Sequence, residues 1–189
     1  MDTRQSSSML KQAVCAGLCA SGVDAFDMGV VPTPAIAYIT THEDFACGVM
    51  ISASHNPYYD NGIKVFNTHG VKIDDALESK IEAVIDGQDV PYAESNEIGR
   101  VFNYTIGLDH YKQNLIESFD MDLSGMKIAI DASNGSASVT ALDVLTELNA
   151  DCFIMHNQPD GLNINANCGS THPESLQNYM KEYQCDIGL

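Results

Sequence analysis

The fold and the chemistry of this chain follow from residues 48–64, which read Gly48-Val49-Met50-Ile51-Ser52-Ala53-Ser54-His55-Asn56-Pro57-Tyr58-Tyr59-Asp60-Asn61-Gly62-Ile63-Lys64. The apolar run Cys47 to Ile51 has the length and β-branched content of a buried strand. Small and polar residues follow, so Ser54 is predicted at the carboxyl end of that strand, where open α/β sheets bind ligands. Asn61-Gly62 predicts a turn, because both residues tolerate positive φ. The turn returns Lys64 towards the same crevice, and together the serine and the lysine predict a site for phosphate.

A simpler interpretation of this segment is a polar loop after a core strand, with Ser54 as a cap or turn residue. A serine hydrolase is disfavoured, because a nucleophile elbow requires Gly-x-Ser-x-Gly. His55 is also badly placed as a base for Ser54, since adjacent side chains of an extended segment point to opposite faces.

Composition and charge narrow the class of protein. The 189 residues suffice for one large domain or two small ones, and the 44% apolar content suffices for a core. Nine basic residues against 26 acidic ones give a net charge of −17, which argues against nucleic acid and anionic membrane surfaces as partners. A phosphorylated substrate must therefore be held by a local positive site. No apolar run approaches the length of a membrane span, and nothing resembles a signal peptide.

Six cysteines stand at positions 15, 19, 47, 152, 168 and 185, without a Cys-x-x-Cys pair. The first two are four residues apart on a predicted helix, which puts both thiols on one face. Burial as small apolar side chains is the simpler interpretation. We therefore expect reduced thiols and, since thiols stay reduced in the cytosol, a cytoplasmic protein.

Predicted strands and helices alternate along the chain. Apolar residues at positions 10, 14 and 18 mark a helix with N-caps at Ser6 to Ser8. Val23 to Met28 is a predicted strand, and a second helix precedes the Ser54 strand. This rhythm predicts an α/β fold with three α/β/α layers and mixed, mainly parallel sheets.

The later segments continue the pattern. Val71 to Ile73 is predicted as a strand, and the polar, acidic segment 91–106 as a linker. After the strand Met126 to Asp131, residues 132–135 turn into a helix, and the free amides of such a turn could hold an anion. Thr171 and Glu174 predict a capping box in front of the last helix.

Three segments resemble the α-D-phosphohexomutase family. Ser52-Ala53-Ser54-His55-Asn56-Pro57 with Asn61-Gly62-Ile63-Lys64 resembles the family's phosphoserine loop. Asp2-Thr3-Arg4 resembles the end of a Gly-Arg-Asp-Thr-Arg segment near the active site, and Asp131 to Gly135 resembles an Asp-x-x-Asn-Gly segment of the second domain. The resemblance implies that Ser54 carries a phosphoryl group, gives it to a sugar phosphate and takes it back.

The resemblance also implies roles for single residues. Ser54, His55, Lys64 and Arg4 are the expected catalytic residues, and Asn56 and Asn61 are expected to bind substrate. Lys64 and His55 would contact the transferred group or assist proton transfer. Mg²⁺ is expected at the phosphate of Ser54. The family's three aspartate ligands lie in an Asp-Gly-Asp-Gly-Asp-Arg loop, which is not found among residues 1–189 and is expected beyond Leu189.

Residues 159–174 resemble the phosphoglucosamine mutase branch of the family more than the phosphomannomutase or phosphoglucomutase branches. That branch interconverts glucosamine 6-phosphate and glucosamine 1-phosphate through a bisphosphorylated sugar, which implies a phosphorylated hexosamine as substrate. A phosphomannomutase/phosphoglucomutase is the alternative enzyme. A catalytically silent fragment that acts as a binding module is the alternative from another class.

The resemblance implies two consecutive, incomplete domains. Residues 1–90 would form a first domain that lacks its first strands, and residues 107–189 a second domain that ends before the metal-binding loop. We expect the isolated chain to lack mutase turnover. We also expect it to expose unpaired strand edges and to self-associate through them.

Overall fold

The computed structural model describes residues 1–189. Its six α-helices are α1 Gln5–Ala20, α2 Thr33–His42, α3 Asp75–Ile85, α4 Ile106–Glu117, α5 Ala141–Glu147 and α6 Glu174–Tyr183. Its seven strands are β1 Ala25–Asp27, β2 Gly48–Ile51, β3 Ile63–Phe66, β4 Val101–Asn103, β5 Lys127–Asp131, β6 Asp151–Met155 and β7 Ile187–Gly188. Short 3₁₀ turns span Ser136–Val139 and Gly169–Thr171. None of the helices is both long enough and apolar enough to cross a membrane.

The first half of the chain, from the amino terminus to the end of α4, contains two strand pairs joined by the amino-terminal residues. β1 and β4 run parallel, and β2 and β3 run antiparallel with Ser52 opposite Gly62 at the end of the hairpin. Between the pairs, the Val31 amide donates to Met1 O and the Asp2 amide donates to Ile51 O, both at 3.0 Å. The segment that begins at Met1 therefore lies at the carboxyl ends of both β1 and β2.

The second half contains a parallel sheet with the strand order β6-β5-β7. Ile128, Ala129 and Ile130 of the central strand are buried, as expected for a parallel strand that helices cover. The predicted α/β fold with mixed, mainly parallel pairing is confirmed.

Each half has its own core. In the first half, apolar residues from several elements surround Met50 and Val31, both fully buried. In the second, Leu123, Ile128 and Ile130 form the centre. Polar contacts join the halves, among them two at the amino terminus: Thr3 Oγ1 donates to Asn134 O at 2.6 Å, and the Gln5 amide donates to Gly161 O at 2.9 Å.

Some predicted local features are wrong. Val71 to Ile73 forms only one isolated bridge, between Lys72 and Phe66, because the turn before it already satisfies the Val71 amide through Asn67 Oδ1. α1 begins at Gln5 with Arg4 in the N-cap position, and Ser7 bonds the Asp2 carboxylate instead of capping the helix.

The capping box in front of α6 is also wrong. Pro173 occupies the N-cap position of that helix, and no side chain caps it. Thr171 belongs to the preceding 3₁₀ turn, which the bond from the His172 amide to Gly169 O closes at 3.0 Å.

The predicted linker 91–106 contains a strand. β4 lies inside it and pairs with β1, so this polar segment supplies one strand of a two-stranded sheet. On α4, which follows, the buried side chain of Tyr111 joins the core around Met50. The division into domains at 1–90 and 107–189 stays a prediction.

Candidate functional site

A cleft of about 310 Å³ lies where the carboxyl ends of β2 and β5 meet. Carboxyl ends of strands are the usual ligand-binding edge of α/β sheets. The first half lines the cleft with Asp2, Pro32, Thr33, Pro34, Ser52 and Ser54. The second half lines it with Asp131, Ala132, Ser133, Gly135, Ser136, Ala137, Ile164 and Asn165.

Ser54 reaches this cleft on an unusual backbone. It is exposed, and its φ of 56° lies in the left-handed region that glycine usually occupies. Such a conformation costs about 1–3 kcal/mol and persists only where the surroundings enforce it. The Ser52 hydroxyl accepts from the Ser54 amide at 3.1 Å and begins that enforcement.

Arg4 holds the backbone of the Ser54 loop in place. Its guanidinium donates to three loop carbonyls, Ser54 O at 3.1 Å, Asn56 O at 2.6 Å and Pro57 O at 3.5 Å. It also pairs with the Asp2 carboxylate, and its side chain is 0% exposed. This placement does not support the predicted catalytic role of Arg4. Its Nε, Nη1 and Nη2 groups each donate to partners within the protein, so in this structure Arg4 holds the loop in position.

Asn165 clamps the same loop from the other half of the chain. Its side-chain amide donates to Ser54 O and to Asn56 O, each at 3.0 Å. Asn165 thereby duplicates two of the bonds from Arg4 and approaches them from the opposite side of the cleft. No sequence pattern singles out this residue, because a lone asparagine in a polar loop carries no signal of its own.

The other predicted site residues differ in their surroundings. His55 is exposed beside Ser54. The Asn56 side chain donates to Asp60 at 3.1 Å within the loop. Asn61 donates to the hydroxyls of Ser6 and Ser7 at 2.9 and 3.0 Å, so it ties the loop to the first turn of α1.

Lys64 does not line the cleft that contains Ser54. It stands on β3 opposite Met50. The Met50–Lys64 pair lies two positions further into the hairpin than the Ser52–Gly62 pair at its end. At about 3.4 Å per residue, its backbone lies about 7 Å back from that edge. The expected pairing of Ser54 with Lys64 in one crevice is therefore not found among the residues that line it.

The opposite wall of the cleft is built on Asp131. Its carboxylate accepts from the amides of Ser133 at 2.9 Å and Gly169 at 2.8 Å, and it faces His156 Nδ1 at 3.0 Å. The bond from the Ser133 amide to Asp131 and the bond from the Asn134 amide to His156 O, at 2.6 Å, hold these two residues with φ values of 53° and 48°. Cys168 lies beside this carboxylate, and burial, followed by the Asp131 charge, raises the pKa of its thiol.

The cleft does not offer a Mg²⁺ site by itself. Mg²⁺ requires several oxygen ligands in nearly octahedral arrangement. The two carboxylates that line the cleft are those of Asp2 and Asp131, and both are buried and engaged: Asp2 by Arg4 and Ser7, Asp131 by the contacts given above. Residues 1–189 alone therefore do not fit the expected ion.

Comparisons with known proteins agree with this architecture. Residues 1–91 match the family model described as phosphoglucomutase/phosphomannomutase, alpha/beta/alpha domain I. The whole chain is also similar to members of the phosphohexomutase superfamily. Over its full length it is 44% identical to the phosphoglucosamine mutase of Lachnoclostridium phytofermentans and 46% identical to that of Streptococcus thermophilus. It spans 42% of the length of each of these relatives.

The fold of the superfamily extends over both halves of the chain. A crystal structure of a phosphoglucomutase/phosphomannomutase family protein from Burkholderia thailandensis superposes on 99% of the chain with a TM-score of 0.79 and 25% identity. The chain covers 42% of that protein. The resemblance inferred from the phosphoserine loop is confirmed.

Proposed function

We propose that this chain is the phosphoserine-bearing part of a phosphoglucosamine mutase, which interconverts glucosamine 6-phosphate and glucosamine 1-phosphate. The observation that carries the proposal is the presentation of Ser54. Its exposed hydroxyl stands at a cleft between the two halves, on a strained backbone that Arg4 and Asn165 pin from two sides. The full-length identity to proteins of that name supports the choice of sugar.

The proposed chemistry moves one phosphoryl group at a time. The bond between phosphorus and Ser54 Oγ breaks as a bond forms to the free hydroxyl of the sugar phosphate, and the proton of that hydroxyl passes to a base. The product is a bisphosphorylated sugar. In the second step a bond forms between Ser54 Oγ and the phosphorus of the other phosphoryl group as that group's bond to the sugar oxygen breaks. The base returns its proton to that oxygen, so the phosphoserine is restored.

Charge around the transferred group decides which residues take part. Arg4 is occupied by carbonyls, which leaves His55 and Lys64 as cationic candidates near the loop. We assign His55 to the proton or to the phosphate because it is exposed next to Ser54. The Lys64 backbone lies away from the cleft, so Lys64 would contact the phosphate only by extending its flexible side chain towards it. Asn56 and Asn61 are proposed to contribute to substrate binding indirectly, because their side chains hold the loop that would meet the substrate.

Mg²⁺ belongs to the proposal for the longer protein only. When bound to the phosphate of Ser54, it would neutralise charge on the group being transferred. Its remaining ligands would have to come from outside residues 1–189, since both cleft carboxylates are engaged.

Two alternatives have some support. The description of the matched family and the name of the Burkholderia protein favour a phosphomannomutase/phosphoglucomutase. The engaged carboxylates favour a catalytically silent binding module. A cytoplasmic location, expected from the cysteine pattern, is part of the main proposal.

The main proposal also includes self-association of the isolated chain through strand edges. An apolar slot of about 160 Å³ separates β1 from β2, and residues such as Phe26, Val49 and Ile51 line it. The outer strand β4 exposes Val101 and Phe102. Unpaired edges of this kind invite pairing with another chain.

A chimera tests the catalytic proposal. Residues 1–189 replace the matched 190-residue segment of the Lachnoclostridium phytofermentans enzyme, and turnover of glucosamine 6-phosphate is measured with a hexose 1,6-bisphosphate primer and Mg²⁺. We expect turnover within about 10²-fold of the parent enzyme, because the remaining domains supply what residues 1–189 lack. Without those domains, the isolated chain should show none, since loss of one electrostatic group alone costs about 10²–10³-fold.

The Ser54→Ala chimera should be inactive and should take up no phosphoryl group by mass spectrometry. Ser133→Ala, on the other wall of the same cleft, is the matched control and should keep its phosphoserine. A folded, soluble chimera that neither turns over nor becomes phosphorylated on Ser54 would favour the silent module. Robust turnover by the isolated chain would contradict the need for further domains.

A further inference from the structure

Asp131, His156 and Cys168 bring three different metal-ligating groups together. The carboxylate oxygen, the imidazole nitrogen and the thiol sulfur all lie within 4.8 Å of one another. They come from the end of β5, the residue that follows β6, and the loop before α6. No two of them are closer than 12 positions in the sequence. This cluster is separate from the Ser54 loop and has no role in the proposed phosphoryl transfer.

We propose that this cluster binds a transition-metal ion of the Zn²⁺ or Co²⁺ type. A nitrogen, a sulfur and an oxygen donor are the set that Zn²⁺ prefers, whereas Mg²⁺ and Ca²⁺ require mainly oxygen. The ion would replace the proton between His156 Nδ1 and Asp131 Oδ1, which would pass to Nε2 of the same ring through solvent, and the Cys168 thiol would lose its proton to solvent. Water would complete the coordination.

The distances are close to those required. Zn²⁺ lies about 2.0–2.1 Å from nitrogen and oxygen and about 2.3 Å from sulfur, so tetrahedral ligands stand about 3.3–3.6 Å apart. The His156–Asp131 pair, at 3.0 Å, needs to open slightly. Contacts with sulfur need to contract by about 1.2 Å at most, from within the 4.8 Å limit of the cluster to about 3.6 Å.

The surroundings suit a bound ion. The Asp131 side chain is 3% exposed and Cys168 is fully buried, so two ligands are already dehydrated and fixed. The His156 side chain is 29% exposed and provides the route of entry. The second carboxylate oxygen is held by the Gly169 amide at 2.8 Å, a contact of the kind that orients metal ligands.

Metal binding would fix the loop that carries Asn165. The ion would tie the residues at both ends of that loop, His156 and Cys168, to β5, and Asn165 lies between them. Since Asn165 bonds Ser54 O and Asn56 O, the metal would also steady the clamp on the serine loop. The cluster is thus a structural site that supports the cleft from behind.

Titration of the isolated chain with Co²⁺ under a phosphine reductant tests the proposal. We expect one equivalent to bind with a thiolate-to-cobalt charge-transfer band and tetrahedral visible bands. Zn²⁺ should abolish both, and a large excess of Mg²⁺ should not. Protection of residues 156–168 from proteolysis on binding is the second, non-spectroscopic readout.

Variants locate the ion. Cys168→Ser should remove the charge-transfer band, and His156→Gln should weaken Co²⁺ binding at least 10-fold. Cys152→Ala and His172→Ala remove the same types of group outside the cluster and should change neither. If Cys168→Ser fails to fold, the partly exposed His156 variant still decides. Absence of the band in the unmodified chain, or a band unaffected by the cluster variants, would overturn the proposal.

Discussion

Ser54 depends on contacts that its neighbours in sequence do not supply. Its left-handed backbone is braced at the carbonyl by Arg4 from beneath and by Asn165 from across the cleft. The Arg4 side chain is buried and paired with Asp2, whereas the bond from Asn165 to Ser54 O is exposed to solvent. We therefore expect Arg4 to be essential for folding of the loop and Asn165 to tune its rigidity.

Asn165→Ala should loosen the serine loop without unfolding the chain. It removes two hydrogen bonds worth about 0.5–1.5 kcal/mol each, so we expect exchange of the Asn56 amide to accelerate about 10-fold in the isolated chain. In the chimera, kcat should fall about 10-fold with little change in KM, because misplacement of the reacting group affects the transition state most.

Asn167→Ala is the matched control for this prediction. Asn167 lies in the same loop with a similar φ of 55°, but it is exposed and its side chain bonds nothing in the chain. Hydrogen exchange and kcat should stay at the parent values. Equal effects of the two substitutions would show that the loop as a whole, and not the Asn165 clamp, controls Ser54.

At the scale of elements, the packing of α2 on β2 sets the position of the serine loop. Gly48 opens β2 at a point where the helix approaches so closely that a Cβ atom would lie 2.7 Å from Ile36 Cγ2 and in conflict with Thr40 Oγ1. Glycine weakens a strand in general. Here it permits the close contact that fixes the strand leading to Ser54.

Gly48→Ala should destabilise the chain by about 1–3 kcal/mol, the usual cost of overpacking. Gly17→Ala, in exposed helix α1, meets no atom within 4 Å and should stabilise it by about 0.5–1 kcal/mol. Urea denaturation of the two variants measures both free energies of unfolding. A neutral Gly48→Ala would mean that α2 can move away from β2 at no cost.

At the scale of the whole molecule, apolar edges oppose a strong negative charge. The slot between β1 and β2 and the exposed residues of β4 favour association, while the net charge of −17 opposes it. Added salt screens the charge over a Debye length of about 10 Å at 0.1 M and leaves the apolar contacts intact.

We therefore expect self-association of the isolated chain to increase with concentration and with salt, as measured by sedimentation. Val101→Lys should weaken it, because a charge on an edge strand hinders pairing. Val71→Lys adds the same charge at a similarly exposed site outside the strands and should have a smaller effect. A strict monomer at high micromolar concentration in all salts would refute this expectation.

Local sequence patterns determined the elements and the location of the key serine. Apolar runs and turn residues are encoded by neighbours within a few positions, so β2, the break after Ile51 and the position of Ser54 at a carboxyl edge were predictable. The motif Ser-Ala-Ser-His-Asn-Pro also led to the correct superfamily. Predictions failed where a local signal competed with tertiary contacts: Thr171 and Glu174 have capping-box spacing, yet Pro173 takes the cap position.

Only the tertiary structure decided which side chains surround the site. Asn165 meets Ser54 across 111 positions of sequence, and no local pattern encodes such a contact. Arg4 could be predicted near the loop, but its burial against three carbonyls, and the distance of Lys64 from the cleft, depend on strand register and on how the halves meet. The grouping of Asp131, His156 and Cys168 has the same origin, because parallel strands bring distant residues to one edge of a sheet.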